Sequence, residues 1–250
     1  MISNQKNILT EAHEERQKPI YAQALSNYFR SIDHILQTIP SEDIRQLSSL
    51  RGFYPKRACR RVGATKKWLF HAWSAEYTLQ TAVNSTDKNS QKYTLNYIFQ
   101  QAYYSVLYSS RAFFAIQGIE VSSEAAVRKF VNGYVTKGWY PEPIGLYING
   151  LMTYFELISQ FKISNPQQEE CLEEADIDVL KFQQSLINIV KYLNFVHECY
   201  AAKVMGLEAY LQWIKELPSY LGESFLKQRY ENGIIPVVTT VSKVEVIEQF

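Results

Sequence analysis

The sequence predicts an all-α protein, a helical bundle with an N-terminal helical extension and a short extended or β-hairpin C-terminal tail. Three observations point there. Apolar residues recur at i, i+3/i+4 through successive segments. Those segments are separated by Pro, Gly or polar stretches. Strand-like alternation is confined to the part after Ile234.

Taken in order, Tyr21, Leu25, Tyr28, Phe29, Ile32, Ile35, Leu36 and Ile39 make one apolar stripe of an amphipathic helix that Pro40 ends. Ser41 can cap a short next helix, with Glu42 and Asp43 in its first turn. Residues 51–63 carry Gly, Pro and aperiodic apolar residues, which predicts a loop. A helix from about Thr65 to Val83 sets Leu69, Ala72, Ala75, Leu79 and Ala82 on one face. The next, about Lys92 to Gln117, has the stripe Leu95, Ile98, Ala102, Val106, Ser109, Phe113 and Ile116, whose small members let a neighbouring helix approach closely. Gly118 stands where a glycine cap belongs. Ser122 or Ser123 can cap a short helix through Val131.

Gly138 to Pro143 is a rigid connection to a helix over about Ile144 to Phe161. The acidic run Glu169 to Asp178 leads into a helical stretch to Leu217, more than about 50 Å long if unbroken at ~1.5 Å per residue. Its apolar residues lie on several faces, as in a central buried helix, and Gly206 is the point where it can break. A last helix, Tyr220 to Glu231, ends at Asn232-Gly233. Beyond it Val237, Val238, Thr239, Thr240, Val241, Val244, Val246 and Ile247 are β-branched and roughly alternating, which suits a hairpin, a docking arm or a frayed end. The division that follows is 1–62 for the N-terminal helices and basic loop, 63–217 for the bundle, and 218–250 for the final helix and tail.

Composition bounds the function. A formal net charge of +1 excludes a general polyanion-binding tail, so any nucleic-acid contact needs a local patch. Three dispersed cysteines, with no CxxC pair, point to a reducing compartment. The first residues are partly acidic without an apolar stretch, and no run approaches the ~20 apolar residues of a membrane span. A soluble cytoplasmic protein without membrane attachment is expected. Eighteen tyrosines suit amphipathic core edges and interfaces. P-loop, dinucleotide, HExxH and GxSxG signatures are absent, and no Cys/His cluster completes a zinc site, so no metal or cofactor is expected.

One patch stands out. Arg51, Lys56, Arg57, Arg60, Arg61, Lys66 and Lys67 follow one another without an intervening acid, interleaved with Phe53, Tyr54 and Trp68. Cations for phosphates and aromatic faces for bases are what an RNA or other nucleic-acid interface requires. The alternative is a solvated loop, or one paired with the acidic 169–178 segment.

Between Ala72 and Phe161, the residues Ala102, Tyr103, Tyr104, Arg111, Ala112, Gly118, Ser123, Val127, Phe130, Val135, Thr136, Lys137, Gly138 and Pro141 form an ordered pattern over successive helices. In that pattern the segment resembles the HEPN family of prokaryotic toxin and defence proteins. Glu124 stands where the family usually has a His after the Ser. The resemblance implies a HEPN-like bundle working as a homodimer or hetero-complex, in a defence or toxin–antitoxin setting. It also directs attention to an Arg-x(4–6)-His ribonuclease motif on a late helix. Of the four histidines, none has an Arg at that spacing; His197 has only Lys191 six positions before it, and Lys lacks the bidentate fork of Arg. The leading expectation is therefore binding of RNA, a nucleotide or a partner protein. The alternatives are a metal-independent endoribonuclease using His197 and Lys191, and a structural subunit of a larger nucleoprotein assembly. For His197 the non-catalytic alternative is a helix residue near the core edge, bonded to a backbone or carboxylate group.

Overall fold

The computed structural model describes residues 61–85, 91–137 and 178–240, with individual positions between Ile20 and His34. Among them there is no strand, and the chain folds as an all-α bundle. Two long helices carry it, α1 (Val62–Ser85) and α2 (Gln91–Ile116). They run antiparallel: the Arg61 N–H donates to the Ala115 carbonyl at one end, while further along the Ser105 hydroxyl donates to the Ala72 carbonyl at 2.9 Å. The approach is close where Ala72 and Ser105 meet, both small and fully buried. The expected stripe of α2 is the buried one, from Ile98 through Ala102, Val106, Ser109 and Phe113 to Ile116. Gly118, at φ 79°, closes the helix, with the Gly118 N–H on the Ala115 carbonyl and the Ile119 N–H on the Phe114 carbonyl. That bond pair is a Schellman cap.

Ser123 caps α3 (Glu124–Thr136), its hydroxyl accepting from the Ala126 N–H at 3.2 Å. This helix runs past the expected end at Val131, because Tyr134 turns inward and donates to Gln117 Oε1 at 2.5 Å. Asp178 caps α4 (Val179–Met205), a largely buried helix that packs on both α1 and α2. Gly206, at φ 91°, breaks the long stretch and α5 (Leu207–Lys215) follows. Aromatic pairs knit the layers: Trp73 stacks on Trp213 with ring centres 5.1 Å apart, and Phe113 meets Tyr200 at 4.8 Å.

The C-terminal part differs from expectation. Beyond Pro218 come a π-helical turn (Tyr220–Phe225), an α-helical turn (Lys227–Arg229), a second π turn (Tyr230–Ile234) and helical residues 235–240. The helix does not stop at Asn232-Gly233, and 235–240 are not an extended arm. The reason lies in packing: Ile234 and Val238, one helical turn apart, are both buried in the core, and that burial outweighs their β propensity. Residues 241–250 lie outside the described part, as do the expected helices over 41–50 and 144–161. The described positions from Ile20 to His34 are helical, and Ala22 is buried in the core. No helix among the described residues is long and apolar enough to cross a membrane.

Candidate functional site

Three places concentrate chemistry. The first surrounds His197. Its position on α4 points the ring inward, where it is 1% exposed, packs on Phe113 with ring centres 5.1 Å apart and shares a 2.9 Å hydrogen bond with the Ser109 hydroxyl. Burial pushes its pKa down to about 3, so the imidazole is neutral at physiological pH. Lys191 is exposed on a different face of the same helix. The fold does not bring the two together, and His197 has no open approach within the single chain.

The second is a buried charge cluster. Arg229, from the C-terminal segment, reaches between Glu76 on α1 and Glu198 on α4. It donates to both oxygens of Glu76, and to Glu198 Oε1 at 2.7 Å. The Trp73 indole N–H donates to the same Glu198 oxygen at 2.8 Å, and the Asn194 amide bridges Glu76 to the Ser105 hydroxyl at 2.7 and 2.8 Å. Both carboxylates are fully buried, while the Arg229 side chain is 12% exposed. Burial, reinforced by Glu76, pushes the Glu198 carboxyl up to about 7 even with Arg229 beside it. Burial works against the Arg229 charge but the two acids outweigh it, so the guanidinium stays protonated. The cluster ties three chain segments together. It was hidden in the sequence, where Glu76 stands among scattered carboxylates with no partner at a recognisable spacing.

The third is an aromatic and cationic face on α1 and α2. Trp68 stacks on Tyr108, ring centres 5.6 Å apart and planes 16° from parallel, and Tyr108 stacks on Tyr104 at 5.8 Å and 15°. Lys67 and Arg111 lie over the Trp68 ring at 5.4 and 5.0 Å from its centre. His71 is exposed beside Tyr108 at 5.5 Å. Tyr104 is 40% exposed, and Arg111 Nε finds no hydrogen-bond acceptor among the described residues.

Of the basic patch read from the sequence, Lys66, Lys67 and Trp68 belong to the first turns of α1, as expected of a helix from about Thr65. The helix begins earlier than expected, taking in Val62 and Gly63 of the expected loop. Lys67 and Trp68 join the aromatic face. Lys66 lies over Trp213, and Arg61 forms an exposed ion pair with Glu120 at 2.5 Å. Arg51, Lys56, Arg57, Arg60 and Tyr54 lie outside the described residues. Sequence reasoning assigned no binding role to His71, Tyr104, Tyr108 or Arg111. The signal was there: Tyr104, Tyr108 and Arg111 are spaced i, i+4, i+7, and Trp68 and His71 i, i+3, each set on one helical face. Among the described residues no group of His, Cys, Asp and Glu side chains is placed to hold a metal ion. Comparison with known proteins gives no match, either to a family model or, at a significant level, to a curated protein or solved structure.

Proposed function

We propose that this chain is a HEPN-like helical protein that binds RNA without cutting it, with the α1–α2 aromatic face and the basic segment before it as the interface. The observation that carries this reading is the convergence of Lys67 and Arg111 on the Trp68 ring beside Tyr108 and Tyr104. Phosphate-neutralising cations interleaved with accessible ring faces are the parts an RNA contact uses. The inward, neutral His197 supports binding over cleavage, since a general base must reach the 2′-hydroxyl. A defence or toxin–antitoxin setting, and action as a homodimer or with a second component, belong to the same proposal and rest on the resemblance over 72–161.

The test is to incubate the full chain and its His197→Ala variant with labelled tRNA in EDTA, following retention and cleavage together. Salt-sensitive retention without cleavage is expected, and Lys67→Glu combined with Arg111→Gln should weaken it by at least about tenfold near 0.1 M salt. Cleavage that persists in EDTA and disappears in His197→Ala would establish an endoribonuclease and overturn the reading.

A further inference from the structure

We infer that the Trp68–Tyr108–Tyr104 ladder is a stacking site for unpaired nucleotides, so that the RNA taken is a single-stranded segment and not a duplex. This deepens the proposed function and rests on it.

The ladder crosses the seam between α1 and α2, with Trp68 on one helix and Tyr108 and Tyr104 on the other. Its planes are nearly parallel although the ring centres stand 5.6 and 5.8 Å apart. Rings in face contact at that separation must be slipped sideways by roughly 4 Å, so within each pair neither ring fully covers the other. Among the described residues Tyr104 ends the series, and it is 40% exposed, which is a large area of aromatic surface to leave in water. A base can lie there only if its own face is free. In a duplex the base faces are taken up by their neighbours in the stack, and only phosphates and groove edges are presented. Unpaired bases satisfy the rings, and every base has a π-face, so the site needs no sequence code.

Charge fixes how the strand lies. Lys67 and Arg111 stand at the Trp68 end, over its ring. Toward Tyr104, Glu124 interacts with Tyr103, on which Arg111 also acts, and the Tyr103 ring meets Tyr104 edge-on. A phosphate is attracted to Lys67 and Arg111 and repelled by Glu124, so the strand has its backbone at the two cations and a base on Tyr104. The same charges disfavour a second copy of this chain as the occupant. A two-fold pairing through this face would set Lys67 and Arg111 against their own copies.

Binding of the full chain to two fluorescein-labelled RNAs, an unstructured oligouridylate and a perfectly paired duplex of equal length, tests this by anisotropy. Tyr104→Ala should weaken the single strand about tenfold and leave the duplex unchanged. Tyr104→Phe, which keeps the ring, should bind like the wild type. Because Tyr104 is exposed, thermal melts of both variants should match the wild type. Retention of strand and duplex alike, insensitive to Tyr104→Ala, overturns the stacking site while RNA binding itself stands. Failure to bind either RNA overturns both. A wild-type dimer that Tyr104→Ala converts to a monomer makes the face a subunit contact and likewise overturns the inference.

Discussion

His197 and Glu198 are adjacent on α4, both buried, and their titrations pull stability in opposite directions. The His197 imidazole is held at about 3 against an ordinary 6.5, so its contribution is complete above 6.5 and is lost as pH falls toward 3. The Glu198 carboxyl is raised from 4.5 to about 7, so its contribution is complete below 4.5 and is lost as pH rises through 7. Where the windows overlap, between 4.5 and 6.5, the two slopes of up to about 1.4 kcal/mol per pH unit oppose each other. As far as these two groups go, wild-type stability should be nearly flat there and fall below it. His197→Phe removes one slope, so urea midpoints of this variant should rise as pH drops from about 7 to 4.5; a decrease would show that Glu198 does not hold its proton. Arg229 is the other decisive residue. Arg229→Ala leaves two buried acids without their cation and should cost about 3–5 kcal/mol in urea unfolding. Adding Glu76→Gln and Glu198→Gln should recover part of that loss, because the uncompensated charge is then gone.

At the scale of elements, glycines separate positions that need them from positions that do not. Gly222 lies in the first π turn, where an added Cβ would sit 2.6 Å from the Ile214 carbonyl oxygen, a backbone atom that α5 holds in place. Gly222→Ala should therefore destabilise the fold by about 1–3 kcal/mol, read as a lower urea midpoint. Gly133 lies inside α3 with nothing within 4 Å of such a Cβ. Gly133→Ala should raise stability by about 0.5–1 kcal/mol through helix propensity alone. If the two substitutions behaved alike, the close passage of the π turn against α5 would not exist in solution. The second π turn has its own reason. Gly233 passes Phe195 so closely that a Cβ would meet the ring at 2.7 Å, and Pro236, which lacks an N–H, follows in the helical residues beyond.

For the whole molecule, what was legible in the sequence was local. The α2 stripe, the Gly118 cap, the Ser123 cap and the Gly206 break each depend on residues within a few positions of one another, and each stands where periodicity and capping rules put it. The α1 face from Leu69 to Leu79 was legible for the same reason. What was not legible is distant in the chain. Glu76 and Arg229 are separated by 153 positions, and no local pattern marks their meeting. Val237 and Val238 read as strand residues because β propensity is a statement about side-chain shape, and only the surrounding core reveals that Val238 fills a helical face beside Ile234. The candidate face was half visible. Lys67 and Trp68 stood in a conspicuous basic run, whereas Tyr104, Tyr108 and Arg111 looked like ordinary members of a long helix.

The late position of Arg229 also sets an order of events during synthesis. Both acids it neutralises are made before it, Glu198 by 31 positions. At translation rates of about 5–20 residues per second, a nascent chain carries Glu198 for roughly 2–6 s before its counter-charge is added. Until then α1 and α4 cannot close over their carboxylates without stranding them in a dry interior, so completion of the central layer waits for the helical segment that carries Arg229. A chain stalled before Arg229 should remain protease-sensitive across α4, while one extended past Val238 should be protected there.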